Sequence, residues 1–337
     1  MHLLVINGPD LDTIADLDGQ VTHWAERMGV TVDTWQSEDE AEILSWIYRH
    51  AGDGIVINPG GLTESPAIVD AIRAVEAPVV EVHLSNVGTS SMGDVSDRII
   101  HGRGVTVYRD AMRHLVNRAA MEFETVRYGP HPDNVGDMRG ESDELVVLVH
   151  GGLWRQEYER DTIESLAVDL AGRGYRTWNL EYRRLGGGGG WPGSGLDVLT
   201  ALDILPELGH RADRVSVIGH SAGSYLLMWA AGQSSIHIGL HVAMAPLFDL
   251  EAAVEFEDVG AEECATLLEA GAPRVSPAEV PTVLVHGDAD QIVPVQRTID
   301  FSKRHGLDHH QTSSDHFSLL DPTKAEWDWV VHRLASH

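Results

Sequence analysis

The chain has 337 residues, of which 43% are hydrophobic, and this is enough for two packed domains. It carries 52 acidic residues against 24 lysines and arginines, so the formal charge of −28 argues against nucleic acid or an anionic membrane as a partner. Cys264 is the only cysteine, which rules out an intrachain disulfide and favours a reducing compartment. The first residues are typical of a strand rather than a signal peptide, and no apolar run has the length of a membrane helix, so we expect a cytoplasmic protein.

The first 124 residues alternate strand-like runs with helical patterns. We predict strands at positions 3–6, 30–35, 54–58, 79–84 and 105–108, and helices at 20–28, 38–51, 65–75 and 110–123. Five strands with helices between them indicate a doubly wound, flavodoxin-like parallel sheet. Ligands of such sheets bind beyond the carboxyl ends of the strands.

Polar motifs stand at the ends of these predicted strands, namely Asn7-Gly8-Pro9-Asp10, Ile57-Asn58-Pro59-Gly60 and Glu81-Val82-His83-Leu84-Ser85-Asn86. In this order they resemble the type II 3-dehydroquinate dehydratases. The resemblance implies that Asn58, His83, Ser85 and the backbone of Leu84 lie at a substrate site, with Asp10 at a position where the family has asparagine. It also implies a homo-oligomer, because that family forms trimers that assemble into dodecamers.

Residues 11–20 depart from the family's pattern. There the family has a lid that carries an arginine and the tyrosine that acts as base, and this chain has neither residue type. At two further positions this chain also differs from the family: it has Asp12 where the family has asparagine, and Glu64 where the family has histidine. Without a base, and with carboxylates at a site for a carboxylate substrate, we expect the dehydratase activity to be lost and the domain to be retained for assembly or packing.

Residues 122–143 are rich in turn formers, and we place the start of a second domain, residues 125–337, in this stretch. A buried strand at 145–149 ends in His150-Gly151-Gly152-Leu153-Trp154. About 70 residues later, Gly219-His220-Ser221-Ala222-Gly223 lies between an apolar strand and an apolar helix. This strand, turn and helix pattern lifts a serine hydroxyl into a cleft, so Ser221 is the candidate nucleophile.

The candidate acid and base follow in chain order. A strand ends in Gly287-Asp288-Ala289-Asp290, where the register of the turn selects Asp290, with Asp288 as the second choice. His316 follows the predicted last strand, whereas His309 and His310 lie on that strand. The order Ser, Asp, His is the one used by α/β-hydrolases.

Together these motifs resemble the α/β-hydrolases over residues 125–337. Tyr128-Gly129-Pro130, Glu181-Tyr182-Arg183-Arg184 and Trp191-Pro192 are most similar to the branch of kynurenine formamidase and related esterases. The resemblance implies a triad of Ser221, His316 and Asp290. It also implies oxyanion donors among the N–H groups of Gly152, Leu153 and Ala222, with the choice between the first two open.

Trp154 and Trp191 flank the inferred cleft, either as aromatic walls for a flat substrate or as ordinary packing. A short insertion at 248–273 predicts a small cap and therefore a small-molecule substrate. We expect a serine hydrolase of a small ester or arylformamide that needs no cofactor. The alternatives are a dehydratase, a bifunctional enzyme that also hydrolyses, or a non-catalytic binding protein.

Two other patterns were weighed as ligand sites. His305 and His309 are four residues apart, but Gly306 and the following strand argue against the helix that this spacing needs, so no metal site is predicted. The run Gly186–Gly190 lacks the Gly-Lys-Ser/Thr ending of a phosphate loop, and we predict a flexible loop ahead of a helix near Ser194.

Overall fold

The computed structural model describes residues 1–9, 14, 16–50, 52–87, 90–211, 215–277 and 280–337. The chain folds as two compact units, residues 1–120 and 121–337. Each unit has its own sheet, and each is an α/β structure.

The first unit contains a five-stranded parallel sheet. Its strands are β1 (His2–Asn7), β2 (Thr31–Gln36), β3 (Gly54–Asn58), β4 (Val79–His83) and β5 (Arg98–His101). Its helices are α1 (Leu17–Met28), α2 (Glu40–Arg49), α3 (Pro66–Ala74) and α4 (Thr106–Ala120). The strand order β2-β1-β3-β4-β5 is that of flavodoxin-like sheets, which confirms the predicted fold class.

The fifth strand was predicted at the wrong place. It lies at Arg98–His101 and pairs with β4, whereas positions 105–108 lead into α4. The β-branched residues at 105–107 favour a strand locally. The helix is more stable than a strand here because its buried residues recur at helical spacing and pack in the core beside the sheet. They are Val107, Tyr108, Ala111, Met112 and Leu115.

The second unit contains an eight-stranded sheet. Its strands are β6 (Glu124–Arg127), β7 (Val135–Arg139), β8 (Leu145–Val149), β9 (Arg176–Leu180), β10 (Val215–His220), β11 (Ile238–Met244), β12 (Thr282–Gly287) and β13 (Asp308–Thr312). They lie in the order β6-β7-β9-β8-β10-β11-β12-β13. Strand β7 is antiparallel to both of its neighbours, and all the other pairs are parallel.

Helices cover both faces of this sheet. They are α5 (Glu164–Gly172), α6 (Gly193–Asp203), α7 (Ala222–Ala231), α8 (Leu250–Glu255), α9 (Ala261–Glu269), α10 (Val295–His305) and α11 (Ala325–Leu334). Strand β8 is buried on both sides, with Val147 and Val149 in one apolar cluster and Val146 and Leu148 in another. Strands that are buried on both sides have continuous apolar sequences. Because the strands from β8 to β13 are parallel, their carboxyl ends lie at one edge of the sheet.

The glycine run at 186–190 forms a hydrogen-bonded turn ahead of α6, which begins at Gly193, next to the predicted start near Ser194. The N–H groups of Gly187 and Gly189 both donate to the carbonyl oxygen of Arg184. A Cβ atom on Gly189 would lie only 2.0 Å from the carbonyl oxygen of Arg183. Glycine is therefore required here for close approach of two backbone segments.

Within the described ranges, no helix is long and apolar enough to cross a membrane. In the same part of the chain, no group of three or more His, Cys, Asp or Glu side chains is arranged to hold a metal ion. Helix α10 ends at His305 with Gly306 at a φ of 67°, and His309 lies on β13. These two histidines therefore belong to different elements.

His241 on β11 is fully buried, and neither ring nitrogen has a hydrogen-bond partner among the residues described. Burial lowers its pKa to about 3. In the unfolded chain a histidine titrates near 6.5, so protonation favours unfolding once the pH falls below that value. The cost amounts to roughly 1.4 kcal/mol per pH unit, and it stops growing near the folded pKa.

Replacing His241 with leucine is therefore expected to stabilise the protein, and more so at pH 5 than at pH 8. The leucine removes a buried group without partners and fills a similar volume. Urea unfolding at the two pH values measures the effect, with the exposed His237→Leu as the matched control. Equal changes at both pH values would contradict the explanation.

Candidate active site

Ser221 lies in a strained turn between β10 and α7. Its φ of 52° and ψ of −120° are unfavourable for a residue with a side chain. The two flanking glycines permit the turn, because a Cβ atom on Gly223 would lie 2.2 Å from the carbonyl oxygen of Val149, and one on Gly219 would lie 2.5 Å from the Cα of Ser224. The Ser221 hydroxyl is buried and has no hydrogen-bond partner in the described part of the chain.

The loops after β12 and β13 bring Asp290 and His316 together. The Nδ1 atom of His316 lies 2.6 Å from Oδ2 of Asp290, and the other carboxylate oxygen accepts the N–H groups of Ile292 (2.8 Å) and Val293 (2.9 Å). Burial alone would raise the pKa of Asp290. Hydrogen bonds from His286 and His316 outweigh it and hold that pKa well below its usual range. An ionised carboxylate only accepts, so Nδ1 of His316 carries the proton and Nε2 is free to take one.

Two further buried histidines support this pair. His286 lies 3.0 Å from Oδ2 of Asp290 through Nε2 and 2.6 Å from the Thr298 hydroxyl through Nδ1. The Nε2 atom of His220 donates to the carbonyl oxygen of His316 at 3.0 Å. Burial lowers the pKa of His220 well below its ordinary value, so this ring stays neutral and fixes the histidine loop.

The alternative acid and histidines lie elsewhere. Asp288 is exposed and accepts a hydrogen bond from Gln311 at 3.3 Å. His309 and His310 are on β13, where the ring of His310 stacks on Trp329 with centroids 4.6 Å apart. The fold therefore brings Asp290, and not Asp288, to His316.

The loop after β8 passes directly over the serine. A Cβ atom on Gly151 would lie 2.7 Å from Cβ of Ser221, so only glycine fits there. The next three residues all have positive φ values, 102° for Gly152, 55° for Leu153 and 59° for Trp154. The N–H groups of Gly152, Leu153 and Ala222 have no acceptor among the residues that the structure describes. Unpaired N–H groups beside a nucleophile are what an oxyanion hole requires.

Glu181 holds the first residue of the loop after β8 in place. Its carboxylate lies 2.9 Å from Nε2 of His150 and accepts the N–H of Arg160 at 2.9 Å. Burial would raise the pKa of Glu181, but Arg184 and His150 outweigh burial and hold it at about 2. The ring of Tyr182 stacks on His150, and its hydroxyl donates to the His150 carbonyl oxygen at 3.0 Å. This supporting role of Glu181 and Tyr182 was not predicted from the sequence.

The predicted tryptophan walls are packing residues in this structure. Trp154 is fully buried and meets the ring of Tyr225 edge-on at 6.0 Å, so it lines no open cleft. Trp191 is half-buried and packs edge-on against Tyr225 (6.2 Å) and Trp229 (4.8 Å). Leu153 and Trp154 both have left-handed backbone, and Trp154 packs in the apolar core of this unit.

The insertion at 248–273 forms the two short helices α8 and α9. The cap is attached to the site at several points. Arg155 donates to Glu263 at 2.5 Å, and the hydroxyl of Tyr225 donates to the carbonyl oxygen of Pro273 at 2.7 Å. A Cβ atom on Gly260 would lie 2.4 Å from the side chain of Leu153. The cap therefore packs on the loop that carries the free N–H groups.

The first unit holds its own polar cluster at the strand ends. The amide of Asn58 donates to the Tyr108 hydroxyl at 3.0 Å, and that hydroxyl donates to the side-chain oxygen of Asn7 at 2.6 Å. Burial raises the pKa of Tyr108 to about 12, so its hydroxyl stays protonated. Asn7 and Tyr108 were not predicted as members of this cluster.

A second contact in this unit joins His83 to Glu81, with Nε2 2.7 Å from the carboxylate. Glu81 is fully buried, and a charged residue inside the apolar strand β4 was the signal that sequence analysis passed over. Leu84 is half-buried and Ser85 is exposed. Asp10 lies outside the described residues.

Comparisons with known proteins divide the chain in the same way. A profile of class II dehydroquinases matches residues 1–116, and a profile of the prolyl oligopeptidase family matches residues 195–320. The 3-dehydroquinate dehydratase of Thermotoga neapolitana is 38% identical over 136 residues, which covers 34% of this chain and 94% of that protein. Because 34% of this chain is fewer than 136 residues, the relative has residues that this chain lacks.

Two solved structures are similar to the larger part of the chain. The Francisella virulence factor BioJ is 16% identical with a TM-score of 0.53, covering 68% of this chain and 92% of that one. The esterase LipW from Mycobacterium marinum is 19% identical with a TM-score of 0.53, covering 68% and 86%. At these identities the likeness concerns the fold alone.

Proposed function

Because the chain belongs to the class II dehydroquinase family through its N-terminal domain and continues into a domain with the α/β-hydrolase fold, we propose that it is a serine hydrolase acting through the second domain. The substrate is a small carboxylic ester or an arylformamide. The observation that carries the proposal is the 2.6 Å contact between His316 and Asp290 at the sheet edge where Ser221 holds a buried hydroxyl that has no partner among the described residues.

The pairing of His316 with Asp290 and the N–H groups beside Ser221 support the following proposed reaction. The Ser221 hydroxyl attacks the acyl carbonyl carbon while Nε2 of His316 takes its proton, and Asp290 stabilises the imidazolium. The oxyanion accepts hydrogen bonds from Ala222 and from Gly152 or Leu153, each worth about 3 kcal/mol in systems of this kind. The imidazolium protonates the departing alkoxide or amine. Water, deprotonated by His316, then hydrolyses the acyl-enzyme.

The cap supports a small substrate. Helices α8 and α9 have 6 and 9 residues, and the contacts of Arg155, Tyr225 and Gly260 hold this part of the chain against the site. A long acyl chain needs a larger apolar cover than two such helices provide.

A fluorophosphonate probe tests the proposal directly. We expect it to modify Ser221, identified by mass spectrometry of the labelled peptide, and we expect turnover of a short aryl ester or an N-formyl anilide. Turnover of the anilide would assign the arylformamidase type, and turnover of the ester alone would assign the esterase type. A folded protein that is neither labelled nor active would refute the proposal.

For the first domain we propose that dehydratase activity is lost. The support is the absence of tyrosine and arginine from residues 11–20, together with the residues of the Thermotoga relative that have no counterpart here. Glu81 and His83 are still paired, so the alternative of a bifunctional enzyme has a definite test. Incubation with 3-dehydroquinate is expected to yield no conjugated enone. Enone formation that disappears in His83→Ala would establish bifunctionality instead.

We also propose a cytoplasmic homo-oligomer that assembles through the first domain and binds neither nucleic acid nor membranes. The oligomer rests on the family of that domain, and the other features rest on the charge of −28 and the single, buried Cys264. Light scattering of the full chain measures the assembly state. A monomer at micromolar concentration would contradict this proposal.

A further inference from the structure

Two aromatic side chains beside the proposed site take no part in the mechanism above. The rings of Tyr158 and Phe317 are nearly parallel, with an interplanar angle of 14° and centroids 6.2 Å apart. Phe317 is 45% exposed, although it directly follows the buried His316. Aromatic side chains next to a reacting group are typical lining residues of small-molecule sites.

Tyr158 contacts the loop that carries the free N–H groups. A Cβ atom on Gly152 would lie 2.2 Å from Cβ and 2.5 Å from Cγ of Tyr158. The neighbouring Gly151 lies against Ser221. One ring of the pair is therefore attached to the oxyanion side of the nucleophile.

Phe317 lies beside the proposed general base, His316. Its ring meets His316 edge-on at 5.3 Å and lies 6.1 Å from the ring of His220, the residue before Ser221. The stacked pair thus bridges the loop after β8, which lies against Ser221 at Gly151, and the loop after β13, which contacts His220 through His316.

The exposure of Phe317 is built into its turn. The N–H of Phe317 donates to Oδ1 of Asp315 at 3.0 Å, and its carbonyl oxygen accepts the N–H of Leu320 at 3.0 Å. The Ser318 hydroxyl accepts the N–H of Asp315 at 2.8 Å. These bonds fix the backbone of the turn and therefore the direction of the Cα–Cβ bond of Phe317.

We propose that Tyr158 and Phe317 form an aromatic wall that selects substrates with a flat aromatic ring next to the scissile acyl bond. This inference rests on the proposed function and narrows its substrates to aryl and arylmethyl esters and arylformamides. A planar ring stacks on such a wall, whereas a saturated ring of equal size buries area without the stacking contribution.

Two esters of matched size and leaving-group basicity test the wall, benzyl acetate and cyclohexylmethyl acetate. The wild type is expected to prefer the benzyl ester. Phe317→Ala is expected to lower kcat/KM for the benzyl ester about tenfold and for the cyclohexylmethyl ester less than twofold. Tyr158→Leu is expected to act in the same direction, and Tyr158→Phe to retain the preference. The matched control is Phe256→Ala, which removes a 59% exposed phenylalanine from the cap.

The outcomes separate this inference from the proposed function. Equal losses for both esters in Phe317→Ala would mean that the ring positions His316, and this would overturn the aromatic wall. Labelling of Ser221 with an unchanged ester ratio would overturn the wall alone, whereas no labelling and no turnover would overturn the proposed function with it. The rate of Ser221 modification by phenylmethanesulfonyl fluoride against its cyclohexylmethyl analogue gives the same comparison without turnover.

Discussion

Ser221→Ala is expected to lower kcat/KM for a short-chain ester by roughly 10⁵-fold to 10⁶-fold, because it removes the nucleophile and leaves only the oxyanion donors. The same change is expected to alter the free energy of unfolding by less than about 1 kcal/mol. The Ser221 hydroxyl makes no hydrogen bond to a described residue, and alanine meets the same backbone strain at a φ of 52°. Ester hydrolysis and urea unfolding measure the two effects.

The matched control is Ser224→Ala, three residues further along α7. Its buried hydroxyl donates to the carbonyl oxygen of Gly219 at 2.7 Å, so its removal is expected to cost about 1 kcal/mol of stability. Activity of this variant should stay within a few-fold of wild type. If Ser221→Ala were nearly as active as the wild type, in a preparation free of other esterases, Ser221 would not be the nucleophile.

The sequence predicted the fold class of the first sheet because strands alternate regularly with helices there. It misplaced the last strand, since Arg98–His101 is short and the run at 105–108 has stronger local β-propensity. Only the packing of the buried face of α4 in the core beside the sheet decides between the two. That packing cannot be predicted from the local sequence.

The candidate triad could be read from motifs because each member stands in a short local pattern at a strand end. The residues that support it could not. Glu181 reaches His150 across 31 positions, and His220 holds His316 across 96, so these partners are visible only after the sheet has formed. The burial of Trp154 was also not predictable from its local pattern, since it depends on the core that forms around the ring.

Buried polar side chains of the first domain are hydrogen-bonded to one another, and these bonds contribute to the stability of its fold. The hydroxyl of Tyr108 donates to Asn7 and accepts from Asn58, and Glu81 bonds to both His83 and Ser90. Removing one member of such a buried set leaves the others unpaired at a cost of roughly 1–3 kcal/mol. Paired strand-end residues are therefore compatible with the proposed loss of dehydratase activity.

Asp290→Asn is expected to lower kcat by about 10⁴-fold, the size of effect seen when a triad aspartate becomes an amide. In this protein one carboxylate oxygen faces both His316 and His286, and the other accepts two backbone N–H groups. An asparagine has a single acceptor oxygen, so in either orientation its NH₂ group points at donors. The tautomer of His316 with a free Nε2 is no longer enforced.

Asp288→Asn is the matched control, because it makes the same chemical change two residues away on an exposed side chain. It is expected to leave kcat within twofold. If Asp288→Asn were the damaging variant and Asp290→Asn were silent, the acid would have been assigned to the wrong carboxylate. Circular dichroism of both variants shows whether the fold is intact.

The dependence of stability on acid pH is an independent test of the ionisation of Asp290. The pKa of Asp290 is held well below its usual value near 3.8, so the ionised carboxylate stabilises the fold above that value, and this stabilisation is lost as the pH falls further. Asp290→Asn is therefore expected to be less stable at pH 7, with a shallower loss of stability below about pH 4. A variant that loses activity but keeps the wild-type acid profile would mean that Asp290 is not ionised against two imidazoles, and the orientation of His316 would then need another explanation.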